Sequence, residues 1–218
     1  MGPGMLAGFY EPVAVRFHIK KMAIDRGADF IQARARRVDA DKKRLILDSG
    51  RSIDYDVLSF NIGSSVSYGP LAEGEPDVFP VKPIENLIEL RKKALDLINK
   101  QELPRFIVVG GGPAGVEIAG ALQRIAHDAK TPARITLLAA DRLMERFPEK
   151  VRQTVLKSFA GRNIRAEEET ALRSVENGIA STQDGRRFPT SCTVLAWGVT
   201  APGIFKRSGL PTGPDGNL

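Results

Sequence analysis

The sequence predicts an α/β fold in which a parallel βαβ unit is flanked by antiparallel strands, and three observations lead to this prediction. An apolar strand at 105–109 runs directly into the glycine-rich segment 110–115. Apolar residues then recur at helical spacing, and a second apolar strand follows at 134–138. Short alternating segments before and after this unit are typical of antiparallel hairpins.

Composition limits the kinds of partner. The 218 residues are 42% hydrophobic, enough for one large domain or two small ones. The net charge is +6, and residues 16–44 hold ten Lys and Arg against four Asp. That balance favours polyanionic ligands, although the simpler explanation is that these residues form solvated faces of a helix and a hairpin. Aromatic residues do not alternate with the basic ones, so we expect no nucleic-acid partner.

Several classes of protein are excluded by what the sequence contains. Its apolar stretches are far shorter than the roughly 20 residues that span a bilayer, and its first residues lack a secretory pattern, so we expect a cytoplasmic location. Cys192 is the single cysteine, and the two histidines are far apart. We therefore expect neither a disulfide, a CxxC pair nor a metal site. Redox chemistry would need a bound cofactor.

The first half of the chain predicts a small antiparallel meander and then a helix. Residues from Ala28 alternate in short runs broken by turn residues, whereas 69–80 is rich in proline and predicts a loop or linker. We place a domain boundary near Lys82. An amphipathic helix is predicted to start at Pro83 and to end before Pro104.

The second half predicts a helix at 149–160, closed by Gly161 as a left-handed cap, and then a return to strands. Segments 48–65 and 183–200 share a pattern of Gly-Arg, an apolar strand and a second glycine. Gly50 and Gly63 are thirteen residues apart, as are Gly185 and Gly198. We predict two similar meanders that frame the βαβ unit; the alternative is that hairpins commonly resemble one another.

The glycines at 110, 112 and 115 form a GxGxxG motif in the strand–turn–helix context of a Rossmann dinucleotide-binding unit. Gly110 would allow the tight turn, Gly112 the close approach of a pyrophosphate, and Gly115 the packing of helix on strand. The pyrophosphate would lie on free N–H groups at the positive end of the helix. The predicted binding residues are Gly110, Gly111, Gly112, Pro113, Ala114 and Gly115.

The identity of the nucleotide stays open. NAD sites normally carry an acidic residue at the end of the second strand, where this chain has Ala139 or Ala140. Asp141 would suit the ribose hydroxyls of NAD, and Arg142 would suit the 2′-phosphate of NADP.

Three segments resemble the FAD-dependent pyridine nucleotide-disulfide oxidoreductases. FIVVGGGPAGVEIAGAL is similar to the NAD(P)H-domain fingerprint of that family, and YDVLSFNIGSS and TVLAWGVTAP are similar to two segments that run beside the flavin. GMLAGFY, VKPIENL and APGIFKRSGL resemble the type-II NADH dehydrogenase-like subgroup associated or fused with selenide, water dikinase. The resemblance covers nearly the whole chain.

The resemblance implies hydride transfer from NAD(P)H to FAD and then to a small-molecule acceptor that the sequence does not identify. It implies that Gly63, Ser64 and Gly198 approach the flavin by backbone, and that Lys82 reaches it from the hinge. It places Glu117 toward the nicotinamide half, as a candidate catalytic residue. Each of these has a plain alternative, as a turn residue, a linker lysine or an acid favoured at a helix N-terminus.

The sequence also departs from the family. The opening GxGxxG motif, which holds the ADP part of FAD, has no counterpart before residue 28, and a Gly-Asp segment would follow Leu218. Asn61, Ile62 and Trp197 replace the usual residues before the second glycines. We therefore expect an enzyme trimmed at both ends, with NAD(P)H as cofactor and FAD bound in the full-length parent. Without a cysteine pair, disulfide reductase and sulfide:quinone reductase chemistry are excluded.

These inferences give three predicted segments: a partial FAD domain with a meander at 1–82, an NAD(P)H-binding Rossmann domain at 83–190, and a return to the FAD domain at 191–218. Two alternatives to a flavoenzyme remain. One is a non-catalytic NAD(P)H-binding module. The other is a partner-binding protein, with a homodimer formed through the flavin-facing surface.

Overall fold

A computed structural model describes residues 1–71, 73–213 and 216, and the chain divides into two compact units. The larger unit contains residues 1–15 and 66–198, and the smaller unit contains residues 16–65 and 199–218. These units group residues that pack against one another. The boundary predicted near residue 82 separates cofactor-binding domains instead, and it stays a prediction. Residues 214, 215, 217 and 218 of the predicted last segment lie outside the described residues.

A five-stranded parallel sheet forms the centre of the larger unit. Its strands, in spatial order, are β5 (Val78–Pro80), β12 (Cys192–Leu195), β6 (Arg105–Val109), β7 (Arg134–Leu138) and β8 (Ile164–Glu167). The predicted strands at 105–109 and 134–138 are confirmed. The prediction of a loop through 69–80 is wrong at its end, because Val78–Pro80 pairs with β12. A proline is tolerated there since β5 is an edge strand.

Helices cover this sheet. They are α3 (Asn86–Lys100), α4 (Pro113–Asp128) and α5 (Glu149–Gly161), and α1 (Gly2–Ala7) packs on α3 and α4. Helix α3 begins three residues after Pro83, whose carbonyl accepts a hydrogen bond from Asn86 N–H at 3.1 Å. Gly161 is the last helical residue rather than a left-handed cap, and Asn163 has the positive φ, 55°. Sequence reasoning missed α1, whose Met5 and Leu6 are buried in the core.

An antiparallel meander completes the larger unit, with β9 (Leu172–Glu176), β10 (Ile179–Thr182) and β11 (Arg187–Pro189). In the smaller unit a second meander contains β1 (Ala35–Asp39), β2 (Arg44–Leu47) and β3 (Ser52–Asp54). Both predicted meanders are confirmed. The smaller unit also contains α2 (Ile19–Ile24) and α6 (Ile204–Arg207). Two further short strands are β4 (Ser65–Val66) and β13 (Val199–Thr200).

The prediction that the first meander ends in an apolar strand directly before Gly63 is wrong. After β3 ends at Asp54, residues 55–64 form no strand. Phe60 packs its ring edge-on against Phe205, with centroids 5.1 Å apart. Among the described residues, no helix combines the length and the apolar character needed to span a bilayer.

Candidate dinucleotide site

The glycine segment lies at the carboxyl edge of the parallel sheet, directly after β6. Gly110 N–H donates to the carbonyl of Leu138 at 2.8 Å, and Ala196 N–H donates to the carbonyl of Val109 at 2.8 Å. The loops that follow β6, β7 and β12 therefore meet at one place. The carboxyl edge of a parallel sheet is where ligands bind in open α/β folds.

Two of the glycines are required by the backbone itself. Gly110 has φ 136°, and a Cβ there would overlap the carbonyl oxygen of Ala196. A Cβ on Gly115 would overlap the carbonyl oxygen of Gly110, because α4 starts so close to β6. Only glycine avoids both collisions, whether or not a ligand is bound. Gly110 therefore permits the tight turn, and Gly115 permits the close packing of α4 on β6.

Gly112 differs from both, because packing does not require it. Its φ is −86°, and a Cβ there would meet no atom of the described residues within 4 Å. It is the N-cap of α4, with Pro113 as the first helical residue. The N–H groups of Ala114 and Gly115 belong to the first turn, where an α-helix offers no internal acceptors. Gly112 thus leaves an open surface beside N–H donors at the positive end of a helix, which suits a pyrophosphate.

Gly111 joins this loop to the next one. A Cβ on Gly111 would come within 2.7 Å of Ala139 Cβ. Its carbonyl accepts a hydrogen bond from Met144 N–H at 2.7 Å. The glycine loop and residues 139–144 are therefore held against each other.

The end of β7 leaves the choice between NAD and NADP open. Ala139 is buried, and Ala140, Asp141 and Arg142 are exposed. The Arg142 guanidinium donates to Glu149 at 3.2 Å, with both side chains more than half exposed. An exposed pair of this kind contributes little, so Arg142 stays available to a phosphate.

Glu168 and Arg152 were missed by sequence reasoning, although they anchor the loop after β7. Glu168 accepts a hydrogen bond from Leu143 N–H at 2.6 Å and two from Arg152 at 3.1 and 2.5 Å. The Arg152 hydrogen bond, assisted by that of Leu143, holds the pKa of Glu168 below its ordinary value. In the sequence Glu168 is the middle of three consecutive glutamates, and nothing in that run distinguishes it.

Two further predicted residues lie at the carboxyl edge of the same sheet. Lys82 is half-buried just after β5, next to Val81, whose N–H donates to the carbonyl of Leu195 at 3.0 Å. Gly198 is exposed just after β12. The larger unit therefore brings Lys82 and Gly198 to the edge that carries the glycine loop.

Trp197 separates β12 from Gly198 and is fixed by its own contacts. Its indole Nε1 donates to the carbonyl of Ser67 at 2.7 Å. A Cβ on Gly69 would come within 2.7 Å of the indole ring. The departure from the family pattern at residue 197 thus has a packing role in this chain.

The remaining predicted residues lie elsewhere. Gly63 is exposed, with φ 71°, and Ser64 is half-buried; both belong to the smaller unit. Glu117 is exposed on α4 and lines a groove together with Gly4 and Tyr10 of the N-terminal segment. In the part of the chain that the structure describes, no cation lies within ion-pair distance of Glu117.

Comparison with curated proteins finds relatives that share part of their length with this chain. The chain is 28% identical over 153 residues to an external alternative NAD(P)H-ubiquinone oxidoreductase B2, mitochondrial, of Arabidopsis thaliana, covering 60% of this chain and 26% of that protein. It is 30% identical over 174 residues to the type II NADH:quinone oxidoreductase Ndh of Mycobacterium tuberculosis, covering 67% of this chain and 37% of that protein. The chain thus spans well under half the length of either relative.

Solved structures share the fold. The sulfide:quinone oxidoreductase of Aquifex aeolicus matches with a TM-score of 0.84 at 18% identity, over 100% of this chain and 54% of that one. NDH2 of Plasmodium falciparum in complex with NADH matches with a TM-score of 0.79 at 16% identity, over 95% of this chain and 49% of that one.

A family model extends the match to almost the whole chain. The model described as pyridine nucleotide-disulphide oxidoreductase matches residues 10–218, which include the sheet, both meanders and the glycine loop. The resemblance inferred from the three segments is confirmed, and the chain belongs to the pyridine nucleotide-disulphide oxidoreductase family.

Proposed function

We propose that this chain is the nicotinamide-nucleotide-binding part of an NAD(P)H-dependent flavoprotein oxidoreductase of the type-II NADH dehydrogenase kind. The observation that carries the proposal is the contrast within the glycine loop. Gly110 and Gly115 are explained by packing, whereas Gly112 faces open space beside the first turn of α4. A glycine that packing does not need is explained by a ligand that approaches the backbone closely.

Different residues of the larger unit would bind different parts of NAD(P)H. The loop at 110–115 would bind the pyrophosphate through backbone N–H groups and the helix dipole. Asp141 or Arg142 would meet the adenosine end, and Glu117 would lie toward the nicotinamide half. When bound, reduced nicotinamide supplies a hydride and FAD accepts it.

The flavin contacts are proposed on the family resemblance. Gly63, Ser64 and Gly198 would approach FAD by backbone, and Lys82 by its side chain, in the full-length parent. The names of the relatives support a quinone as the small-molecule acceptor. The selenide, water dikinase-associated subgroup, a homodimer and a cytoplasmic location stay predictions.

The test of nucleotide binding is a calorimetric titration with NADH and NADPH. The matched variants are Gly112→Ala and Gly120→Ala. Gly120 also lies on α4, where a Cβ would meet a single described residue, Arg162, at an ordinary 3.6 Å. We expect G112A to raise the Kd about tenfold or more, since its methyl group obstructs the pyrophosphate, and G120A to leave it unchanged. Equal binding by G112A and the unchanged chain would contradict the proposed site.

A second arm separates the flavoenzyme from a non-catalytic nucleotide-binding module. The purified chain is mixed with FAD, freed of excess, and scanned at the flavin absorbance bands before and after NADH. Retained flavin that is bleached by NADH supports the flavoenzyme. Nucleotide binding without retained flavin means that this chain alone is a catalytically incomplete nucleotide-binding piece, as expected if FAD binds only in the full-length parent.

A further inference from the structure

A second polar cavity lies at the amino edge of the parallel sheet, opposite the glycine loop. It has a volume of about 330 Å³ and is lined by the first residues of β6 and β7, by β8 and by β11. β6 separates Arg105 at this edge from Val109 at the other by four steps, which is about 13 Å. The cavity and the dinucleotide site are therefore distinct.

Cationic side chains dominate this cavity. Among the residues that the structure describes, its lining includes no acidic residue and five arginines: Arg105, Arg134, Arg165, Arg186 and Arg187. Two of the five are already paired, because Arg165 and Arg186 both contact Glu167, and Arg186 also contacts Asp184. For the other three, no carboxylate of the described residues lies within ion-pair distance.

The positions of Arg105 and Arg134 lower the stability of the fold when no anion is bound. Arg105 and Arg134 are register partners on adjacent strands, so two like charges share one edge of the sheet. Arg105 Nε is buried and, among the residues the structure describes, has no hydrogen-bond acceptor. A buried guanidinium donor without an acceptor is uncommon in native proteins and costs free energy. An anion between these arginines would remove both penalties.

We propose that this cavity binds a small phosphate-bearing molecule with at least two negative charges. Planar guanidinium groups pair two N–H donors with two oxygens of a phosphate, as they also do with a carboxylate, and several of them in one small cavity favour a compact group that carries more than one negative charge. The volume lies at the small end of ligand sites, which favours a compact ligand. The half-buried Phe188 adds an apolar wall on β11.

Inorganic pyrophosphate serves as the probe, titrated by calorimetry into the chain with NAD⁺ at saturation so that the glycine loop is occupied. We expect binding that weakens with added salt. Arg134→Gln and Arg187→Gln should each raise the Kd about tenfold. The matched control is Arg173→Gln, an exposed arginine on β9 outside the cavity, which should change the Kd less than twofold.

Three results would overturn the proposal. The first is displacement of pyrophosphate by NAD⁺, which would place it on the glycine loop. The second is equal weakening by R173Q, which would mean general attraction to a basic chain. The third is equally tight binding of citrate, which would remove the preference for phosphate. If NAD⁺ itself fails to bind, the arginine variants still locate the pyrophosphate, so the two proposals fail separately.

Discussion

Residues 35–63 and 170–198 belong to different units, and each segment contains a meander with the same strand register and turn geometry. Their last two strands have identical register, since the pair Arg44 and Asp54 corresponds to Ile179 and Pro189, each 135 residues later. Both turns contain a left-handed glycine, Gly50 with φ 83° and Gly185 with φ 85°. Each turn is closed by two backbone N–H to carbonyl hydrogen bonds at matching positions. Corresponding bonds in the two turns differ in length by no more than 0.2 Å.

The two segments separate after the meander. Residues 192–195 become a fully buried strand between β5 and β6, whereas residues 57–60, at the matching positions, form no strand. Both runs are apolar enough to predict a strand. An apolar run becomes a parallel strand only where neighbouring strands supply its hydrogen bonds, as β5 and β6 do for β12.

A second difference lies just before the meanders. In the larger unit Glu168 ties the loop after β7 to Arg152 of α5. The matching position in the smaller unit is Ala33, which has no charged group. The two meanders thus share their internal register and turns, but they differ in the contacts that hold the residues just before them.

The largest expected effect comes from matched truncations in the two diverging runs. Val194→Ala removes methyl groups from a strand with no exposure and should lower the free energy of unfolding by about 2–3 kcal/mol. Ser59→Ala, at the matching exposed position, should change it by less than about 0.5 kcal/mol. Urea denaturation followed by circular dichroism measures both. A cost for S59A as large as that for V194A would mean that residues 57–60 are packed like β12.

The next effect concerns the Glu168 attachment. Glu168→Gln should cost about 1–2 kcal/mol at neutral pH, because Arg152 loses a charged acceptor. The pKa of Glu168 is held below its ordinary value of 4.5, so this stabilisation is present above pH 4.5 and is lost as the pH falls through the lowered pKa. The difference between the unchanged chain and E168Q should shrink over that acidic range, as read from Trp197 fluorescence in urea.

Glu169→Gln is the matched control for that measurement. Glu169 is exposed, and no ion pair is formed by it among the described residues. It should leave stability unchanged at every pH. A pH-independent cost of E168Q would show that shape rather than charge accounts for the attachment.

A smaller effect tests the likeness of the two turns. Gly50→Ala and Gly185→Ala each place a side chain at positive φ, where no atom in the described part of the chain lies within 4 Å of the new Cβ. Each should therefore cost about 1 kcal/mol, from backbone strain alone. Thermal unfolding of the two variants compares them directly, and costs that differ by more than about 1 kcal/mol would break the equivalence of the meanders.

The smallest perturbation uses thiol labelling at another matched pair, Cys192 and Val57. Cys192 is fully buried, and burial raises the pKa of its thiol, whereas Val57 is 87% exposed. The native chain should resist iodoacetamide, since the thiolate is the reactive form. Val57→Cys should take up one label rapidly, as counted by mass spectrometry. Rapid labelling of the unchanged chain would show that β12 opens.

Several elements could be predicted because local pattern determines them. The strands at 105–109 and 134–138, helix α4 and both meanders follow from periodicity and turn residues. Gly50 and Gly185 each lie thirteen residues before a second glycine, and both also have the left-handed conformation.

Other features could not be predicted, because distant residues determine them. Strand β5 contains a proline and is a strand only through pairing with β12, which is more than 100 residues away. Helix α1 is six residues long and is buried by packing on α3 and α4. The pairing of Glu168 with Arg152 likewise depends on tertiary placement.

Hydrogen–deuterium exchange of the chain, with and without saturating NADH, tests most directly whether the nucleotide binds at the carboxyl edge of the parallel sheet. Bound NADH should slow exchange at residues 110–117 and 139–142, and leave the meander at 35–54 unchanged. Protection of residues 35–54, or none at 110–117, would contradict the account.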